Sequence, residues 1–317
     1  MARSTSSNLS VPDAPIRGVE ASDHRSVAVN LFISLRPAQW TKNLLVFAAL
    51  IFAEQLFDAR AVLRTTAAFA IFCVLSGVVY LVNDIVDRHT DREHPLKRRR
   101  PIAAGTLPLA AAAGAAAVLG AAGSLAAFAL GGKFALVAMS YLGLQGLYSG
   151  PLKHMVILDV LALSIGFVLR AAAGAVAIDV VISHWLFVCT ILLAMFIALA
   201  KRRHEIVLLA DGASSHRPIL GEYSAYLLDQ MIGVVAASTL IAYIFYTINP
   251  ETIAKFGTDL LGLTIPFPIY GIFRYLYLVH RREGGGSPAE LLLTDRPLLA
   301  CVTLWAAAVV LIIYQPF

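Results

Sequence analysis

Nine apolar runs, each near the length that a lipid bilayer demands, dominate this chain, at about 43–58, 61–82, 108–131, 133–148, 155–178, 184–200, 223–248, 258–279 and 297–314. About 30 Å of hydrocarbon needs about 20 residues of helix. Inside it every backbone polar group must be satisfied within the segment, which favours helices over irregular chain. The runs at 43–58 and 133–148 are short enough to tilt or to lie partly in the interface. Only 14% of the 317 residues are charged and 59% are hydrophobic, with a mean hydropathy of +0.76, whereas a soluble domain carries about a quarter charged residues. The expected fold is all-α, a polytopic membrane protein of about nine transmembrane helices.

Residues 1–27 are rich in Ser, Pro, Ala and Asp and lack an apolar core region. They read as a disordered cytoplasmic tail and not as a cleaved secretory signal, which leaves 28–317 as one transmembrane domain. Cys73, Cys189 and Cys301 sit inside apolar runs without CxxC or ligand-like spacing, so they read as small core residues.

Charge gives an orientation. The loops after the second, fourth, sixth and eighth runs carry Arg88, Arg92 and Lys97 to Arg100, then Lys153, then Lys201, Arg202, Arg203 and Arg217, then Arg281, Arg282 and Arg296. The opposite loops hold only Arg60, Arg64, Lys133 and Lys255 nearby. The positive-inside rule puts the first set and the N-terminus in the cytoplasm and, for an odd number of helices, the C-terminus outside. The net charge of +5 is thus a topology signal, and its basic residues lack the aromatic interleaving of a nucleic-acid surface.

The second run leaves the membrane as Tyr80-Leu-Val-Asn83-Asp84-Ile-Val-Asp87-Arg-His-Thr-Asp91. If the helix continues, Asn83, Asp84, Asp87 and Asp91 line one side over two turns. Three carboxylates on one face repel unless a hard divalent cation bridges them, and Mg²⁺ takes one or two carboxylates while sharing its other positions with phosphates and water. A solvated helix end balanced by Arg88 and Arg92 would have the same residues. Next comes His94-Pro-Leu-Lys97-Arg-Arg-Arg100-Pro101-Ile-Ala-Ala-Gly105, whose prolines and glycine fix turns. Acid followed closely by base suits a metal diphosphate, with the metal on one side and Lys or Arg on the other. A topogenic or lipid-headgroup patch is the plainer alternative.

The ordered set NDxxDxxxD, HPxKxRxP and Tyr148-Ser-Gly-Pro-Leu-Lys153, on about nine helices, resembles the UbiA superfamily of intramembrane prenyltransferases from about Leu35 onward. Two departures point within it. Where the aromatic prenyltransferases carry a second Asp-rich motif after the sixth helix, this chain reads Ala200-Lys201-Arg202-Arg203-His204-Glu205, with Asp159 the other acid near such a loop. Ahead of the first helix stands Leu35-Arg36-Pro37-Ala-Gln39-Trp40-Thr-Lys42-Asn43. Both features resemble the actinobacterial branch that moves a 5-phosphoribosyl group from phosphoribosyl pyrophosphate to decaprenyl phosphate for cell-wall arabinan. Such a pocket gathers three anionic groups, and Lys and Arg in place of an acidic motif suit that load.

The resemblance implies a Mg²⁺-dependent enzyme of the plasma membrane, a homo-oligomer with a trimer among the options. Its metal set would be Asn83, Asp84, Asp87 and Asp91, and its catalytic set Asp84, Asp87 and Lys153. Lys97, Arg100, Lys201 and Arg202 would neutralise the donor phosphates. Lys42, Lys153 and Arg170 would orient the acceptor phosphate, with Tyr80, Tyr148 and Asp159 lining the site. The acceptor is already ionised near neutral pH, so no general base is required, and attack opposite the leaving group would invert the anomeric carbon. Arg170, deep in an apolar run, must face the bundle interior; a structural pair with Asp179 or Asp229 is the alternative to a substrate role. A prenyltransferase acting on an aromatic acceptor and an anion transporter are the rival functions, the latter weakened by the lack of an evident repeat between the halves. His24, His184, His216 and His280 have no ligand-like spacing and receive no role.

Overall fold

The structure is a computed structural model that describes residues 26–95, 97–181, 184–209, 218–281, 291–292 and 294–314. Residues 1–25, expected as a tail, and His216 lie outside the described residues. Among the described residues all regular elements are helical. In chain order these are α1 (Val27–Ser34), a 3₁₀ run (Pro37–Phe47) leading into α2 (Ala48–Phe52), α3 (Ala59–Val86), α4 (Arg88–Glu93), α5 (Leu109–Leu130), α6 (Gly132–Ser149), α7 (Leu158–Ala177), α8 (His184–Leu209), α9 (Ala225–Ile248), α10 (Pro250–Phe256), α11 (Pro266–Arg281) and α12 (Arg296–Tyr314). By length and composition, six helical segments among the described residues can cross a bilayer: Ala59–Val86, Leu109–Leu130, Leu158–Ala177, Ala225–Ile248, Leu260–Arg281 and Arg296–Tyr314.

Local chemistry sets the boundaries. The Asp58 carboxylate accepts from the N–H groups of Arg60 and Ala61, at 2.8 and 3.2 Å, and so caps α3. Ser224 accepts from the Leu227 N–H at 3.1 Å to start α9. Near the beginning of α3, Arg64 donates to the carbonyls of Ala177 at 2.5 Å and Leu130 at 2.9 Å. One cation thereby satisfies the C-terminal ends of two neighbouring helices, where the dipole is negative.

The expected first helix at 43–58 is not a regular helix. The chain there is 3₁₀ from Pro37 to Phe47 and only briefly α-helical to Phe52. The reason is tertiary: this stretch is wedged between α3 and α7, and a Cβ at Gly174 of α7 would stand 1.9 Å from the Val46 carbonyl oxygen. Asn43, fully buried at this seam, donates to Ser76 Oγ at 3.2 Å.

The apolar interior divides into two principal clusters. Val46, Phe72, Leu75, Phe134, Tyr141 and Ala173 fill the N-terminal half. Val160, Phe196, Leu199, Leu228, Tyr275 and Leu298 fill the C-terminal half. Helix α7 contributes to both and forms the seam. Its beginning and the adjoining ends of α3, α6 and α8 carry the polar residues described next.

Candidate active site

Helix α3 ends at Val86, with Asp87 at its C-cap and α4 following directly. The helical hydrogen bonds almost run through the junction: the Asp87 N–H donates to Asn83 O and the Asp91 N–H to Asp87 O, both at 2.8 Å. Asp84 and Asp91 are each 2 % exposed. Buried carboxylates need compensation, and here cations supply it. Arg100 Nη1 donates to Asp84 Oδ1 at 3.1 Å and to Asp91 Oδ2 at 2.6 Å. Arg36 Nη2 donates to that same Asp84 oxygen, with its guanidinium 4.7 Å from the centre of the Tyr80 ring. Asp87 faces Lys153 Nζ at 3.5 Å, and the Asn83 side-chain Oδ1 accepts from Ser149 Oγ at 2.5 Å. Among the described residues, no three His, Cys, Asp or Glu side chains gather closely enough to hold a metal ion by themselves.

A second group of cations lies beside the first. Arg170, 5 % exposed, donates to Asn43 Oδ1 at 2.8 Å, to the Gly166 carbonyl at 2.9 Å and to the Tyr141 hydroxyl at 2.9 Å. Its guanidinium also lies over the Tyr141 and Phe167 rings, at 4.8 and 5.2 Å. Asp179 and Asp229 are not its partners: Asp179 faces Lys133 at 3.8 Å, and Asp229 is taken by Arg203 and His280. Burial, with Arg170 and Arg36 nearby, pulls the Lys42 ammonium down to about 8. Neither Lys42 nor Arg170 forms an ion pair among the described residues. Arg170 is thus a buried cation compensated only by neutral groups, with the partly buried Lys42 near it.

The third group is a buried network around Arg202 and Asp159. Arg202 and Asp159, expected to face substrate, are 1 % and 0 % exposed and bond each other at 2.8 Å. Arg202 also donates to Glu205 at 2.9 Å and to the Tyr148 hydroxyl at 3.2 Å. The Tyr223 hydroxyl donates to the other Asp159 oxygen at 2.9 Å and accepts the Ile157 N–H at 2.7 Å. Through these bonds Arg202 and Asp159 brace Tyr148 and the loop ahead of α7. Lys201 stays half-exposed, 4.0 Å from Glu205. Lys97 is half-buried, with its N–H on His94 Nδ1 at 3.3 Å.

Residues 43–293 match the family model described as the UbiA prenyltransferase family. The chain belongs to the UbiA prenyltransferase family. Among relatives of this UbiA protein, a decaprenyl-phosphate phosphoribosyltransferase of Corynebacterium glutamicum is 34% identical over 299 residues, covering 92% of this chain and 88% of the relative. The Mycobacterium tuberculosis protein of the same name is 34% identical over 282 residues, covering 87% and 91%. In three dimensions the UbiA homolog from Archaeoglobus fulgidus, solved bound to GPP and Mg²⁺, superposes with a TM-score of 0.67 at 18% identity, over 92% of this chain and all of the other. That likeness carries the fold, and the family membership makes the protein a membrane enzyme.

Within this UbiA fold the structure brings Asn83, Asp84, Asp87, Asp91, Arg100 and Lys153 together, and draws Lys42, Tyr80 and Arg170 alongside. Sequence reasoning passed over Tyr141 and Tyr223, and gave Arg36 no site role. Arg36 had a signal, its place in the Leu35–Asn43 motif ahead of the first apolar run. Tyr223 had none, because its partners at 157 and 159 lie some sixty residues away.

Proposed function

We propose that the protein transfers the 5-phosphoribosyl group of phosphoribosyl pyrophosphate to decaprenyl or a similar polyprenyl phosphate, releasing pyrophosphate. The observation that carries this reading is Arg170, a buried cation bonded only to neutral groups, in addition to the carboxylates and arginines around Asp84. A donor diphosphate needs the carboxylate side, through a metal, and a separate acceptor phosphate needs a cationic pocket of its own. The relatives named above support the same chemistry.

The donor set fits Mg²⁺: Asp84 and Asp91 already share one cationic nitrogen, and phosphate and water would complete the coordination. Asp84, Asp91, Asp87 and Asn83 would hold the ion, which supplies Lewis-acid neutralisation of the departing pyrophosphate. Arg36 and Arg100, with Lys97 and Lys201 at the rim, neutralise the donor phosphates. Lys42 and Arg170 orient the acceptor phosphate, while Lys153 stays beside Asp87 at the reacting end. An acceptor phosphate oxygen forms a bond to C1 of the ribose as the C1–O bond to pyrophosphate breaks. The bonding pair leaves with pyrophosphate, and the anomeric centre inverts. The protein works in the plasma membrane with about nine helical segments crossing or entering the bilayer, its N-terminus cytoplasmic, as a homo-oligomer.

The test is turnover of purified protein with Mg²⁺, labelled phosphoribosyl pyrophosphate and decaprenyl phosphate. Label should enter the lipid phase, be lost with EDTA, and be absent for Asp84→Ala and Asp87→Ala. Activity only with a prenyl diphosphate and a phenolic acceptor would transfer the protein to the aromatic branch.

A further inference from the structure

Two guanidinium groups, one from just ahead of the 3₁₀ run and one from the loop after α4, bond one oxygen of one buried carboxylate. Asp84 Oδ1 accepts from Arg36 and from Arg100, and its side chain is 3 % exposed while those of Arg36 and Arg100 are 27 % and 28 % exposed. The acid is the fixed floor of the site and the arginines are its accessible cover. Arg36 is also held at φ 54, ψ 64, a left-handed conformation that a residue with a side chain adopts at a cost. Pro37 follows it and restricts it further. Contacts with Asp84 and the Tyr80 ring hold the guanidinium in place.

We propose that Arg36, with Arg100, is an exchangeable counter-ion of Asp84. A divalent cation reaching Asp84 must displace the guanidinium groups, and the phosphoryl oxygens that arrive with the cation give them new partners. The consequence is a built-in coupling. The metal alone binds weakly because it competes with arginine for the same oxygen, whereas metal and diphosphate together bind well because each arginine exchanges one anion for another. By linkage, the diphosphate also binds better with the metal than without it. This rests only on the metal-diphosphate part of the proposed function, which a phosphoribosyl and a prenyl donor share.

Arg36→Gly is the decisive variant, since glycine accepts the positive φ while removing the cation. Arg36→Gln keeps most of the side-chain volume without the charge, and Arg36→Lys keeps a cation. The probe is Mn²⁺, followed by electron paramagnetic resonance on the full-length protein in detergent, alone and with inorganic pyrophosphate. Expected is Mn²⁺ binding in the absence of pyrophosphate tightened by at least about fivefold in Arg36→Gly and Arg36→Gln, with the pyrophosphate enhancement reduced by a similar factor. Arg36→Lys should stay near wild type. An ordinary structural ion pair predicts the reverse, so weaker or unchanged Mn²⁺ binding in both neutral variants, or an undiminished pyrophosphate enhancement, overturns the proposal. The readout is independent of turnover. A lipid-label assay that fails with phosphoribosyl pyrophosphate would therefore overturn the donor assignment and leave the coupling standing.

Discussion

Arg202 of α8 and Asp159 of α7 meet at 2.8 Å with side chains 1 % and 0 % exposed, an ion pair sealed inside the seam between the two halves of the bundle. Removing one partner strands the other charge, so Arg202→Ala should destabilise the protein by about 3–5 kcal/mol. An apolar pair, Arg202→Met with Asp159→Leu, should regain much of that loss while removing the Arg202 bond to Tyr148. Thermal unfolding in detergent checks both variants. A single Arg202→Ala that melts with the wild type would refute the buried-pair account.

Tyr223 carries the seam to the loop that bears Lys153. Its hydroxyl bonds Asp159 and the N–H of Ile157, which sits at φ 68 ahead of α7. Tyr223→Phe orphans that N–H, at a cost of about 1–3 kcal/mol. Backbone amides at 150–157 should exchange deuterium faster, and turnover should fall roughly tenfold, about 1.4 kcal/mol of barrier. Unaltered exchange in this loop would mean that Tyr223 does not hold it.

Lys42 sets a pH limit. With its pKa lowered to about 8, mainly by burial, the ammonium is formed below that pH and lost above it. An acceptor phosphate therefore meets Lys42 as a cation beside Arg170 on the acid side and Arg170 alone above it, and the Michaelis constant for polyprenyl phosphate should rise as pH passes about 8. Lys42→Arg, always protonated, should move that limb upward. A Michaelis constant flat through pH 9.5, on the order of 1.5 units above the transition, would rule Lys42 out as the acceptor cation.

Gly174 admits the close pass of the 3₁₀ segment. A methyl there would meet the Val46 carbonyl oxygen at 1.9 Å, which neither backbone can absorb without moving. Gly174→Ala should cost at least about 1–3 kcal/mol and displace Lys42 and Asn43 together. Lower thermal stability with weakened acceptor binding is the expected joint outcome, and wild-type behaviour in both would argue that the segment relaxes freely.

Much of the site was legible because its residues are close in sequence. Asn83, Asp84, Asp87 and Asp91 sit at helical spacing, and Arg100 follows in the next loop, so local geometry alone brings acid and base together. Lys153 was readable from its motif, but its partner Asp87, on another helix, was not. Arg202 and Asp159 were legible as charges, but not as partners of each other, because sequence supplies charge without depth. Their burial depends on the packing of α7 against α8. The first apolar run is a second case: hydropathy gives its affinity for lipid, but the wedge between α3 and α7 goes with a 3₁₀ beginning and only a short α-helix after it.

The sequence by itself determined that the chain is helical and membrane-embedded, since apolar run length and the bilayer's intolerance of unpaired backbone leave few other solutions. It also determined which segment supplies the carboxylates, because helical periodicity acts over neighbouring residues. Only the tertiary structure decided which cation serves which anion: Arg36 and Arg100 on Asp84, Lys153 on Asp87, Arg202 on Asp159, and Arg170 on neutral groups alone. Pairing depends on distance and burial across helices far apart in the chain, and the Coulomb and desolvation terms that fix it come into being only when those helices pack.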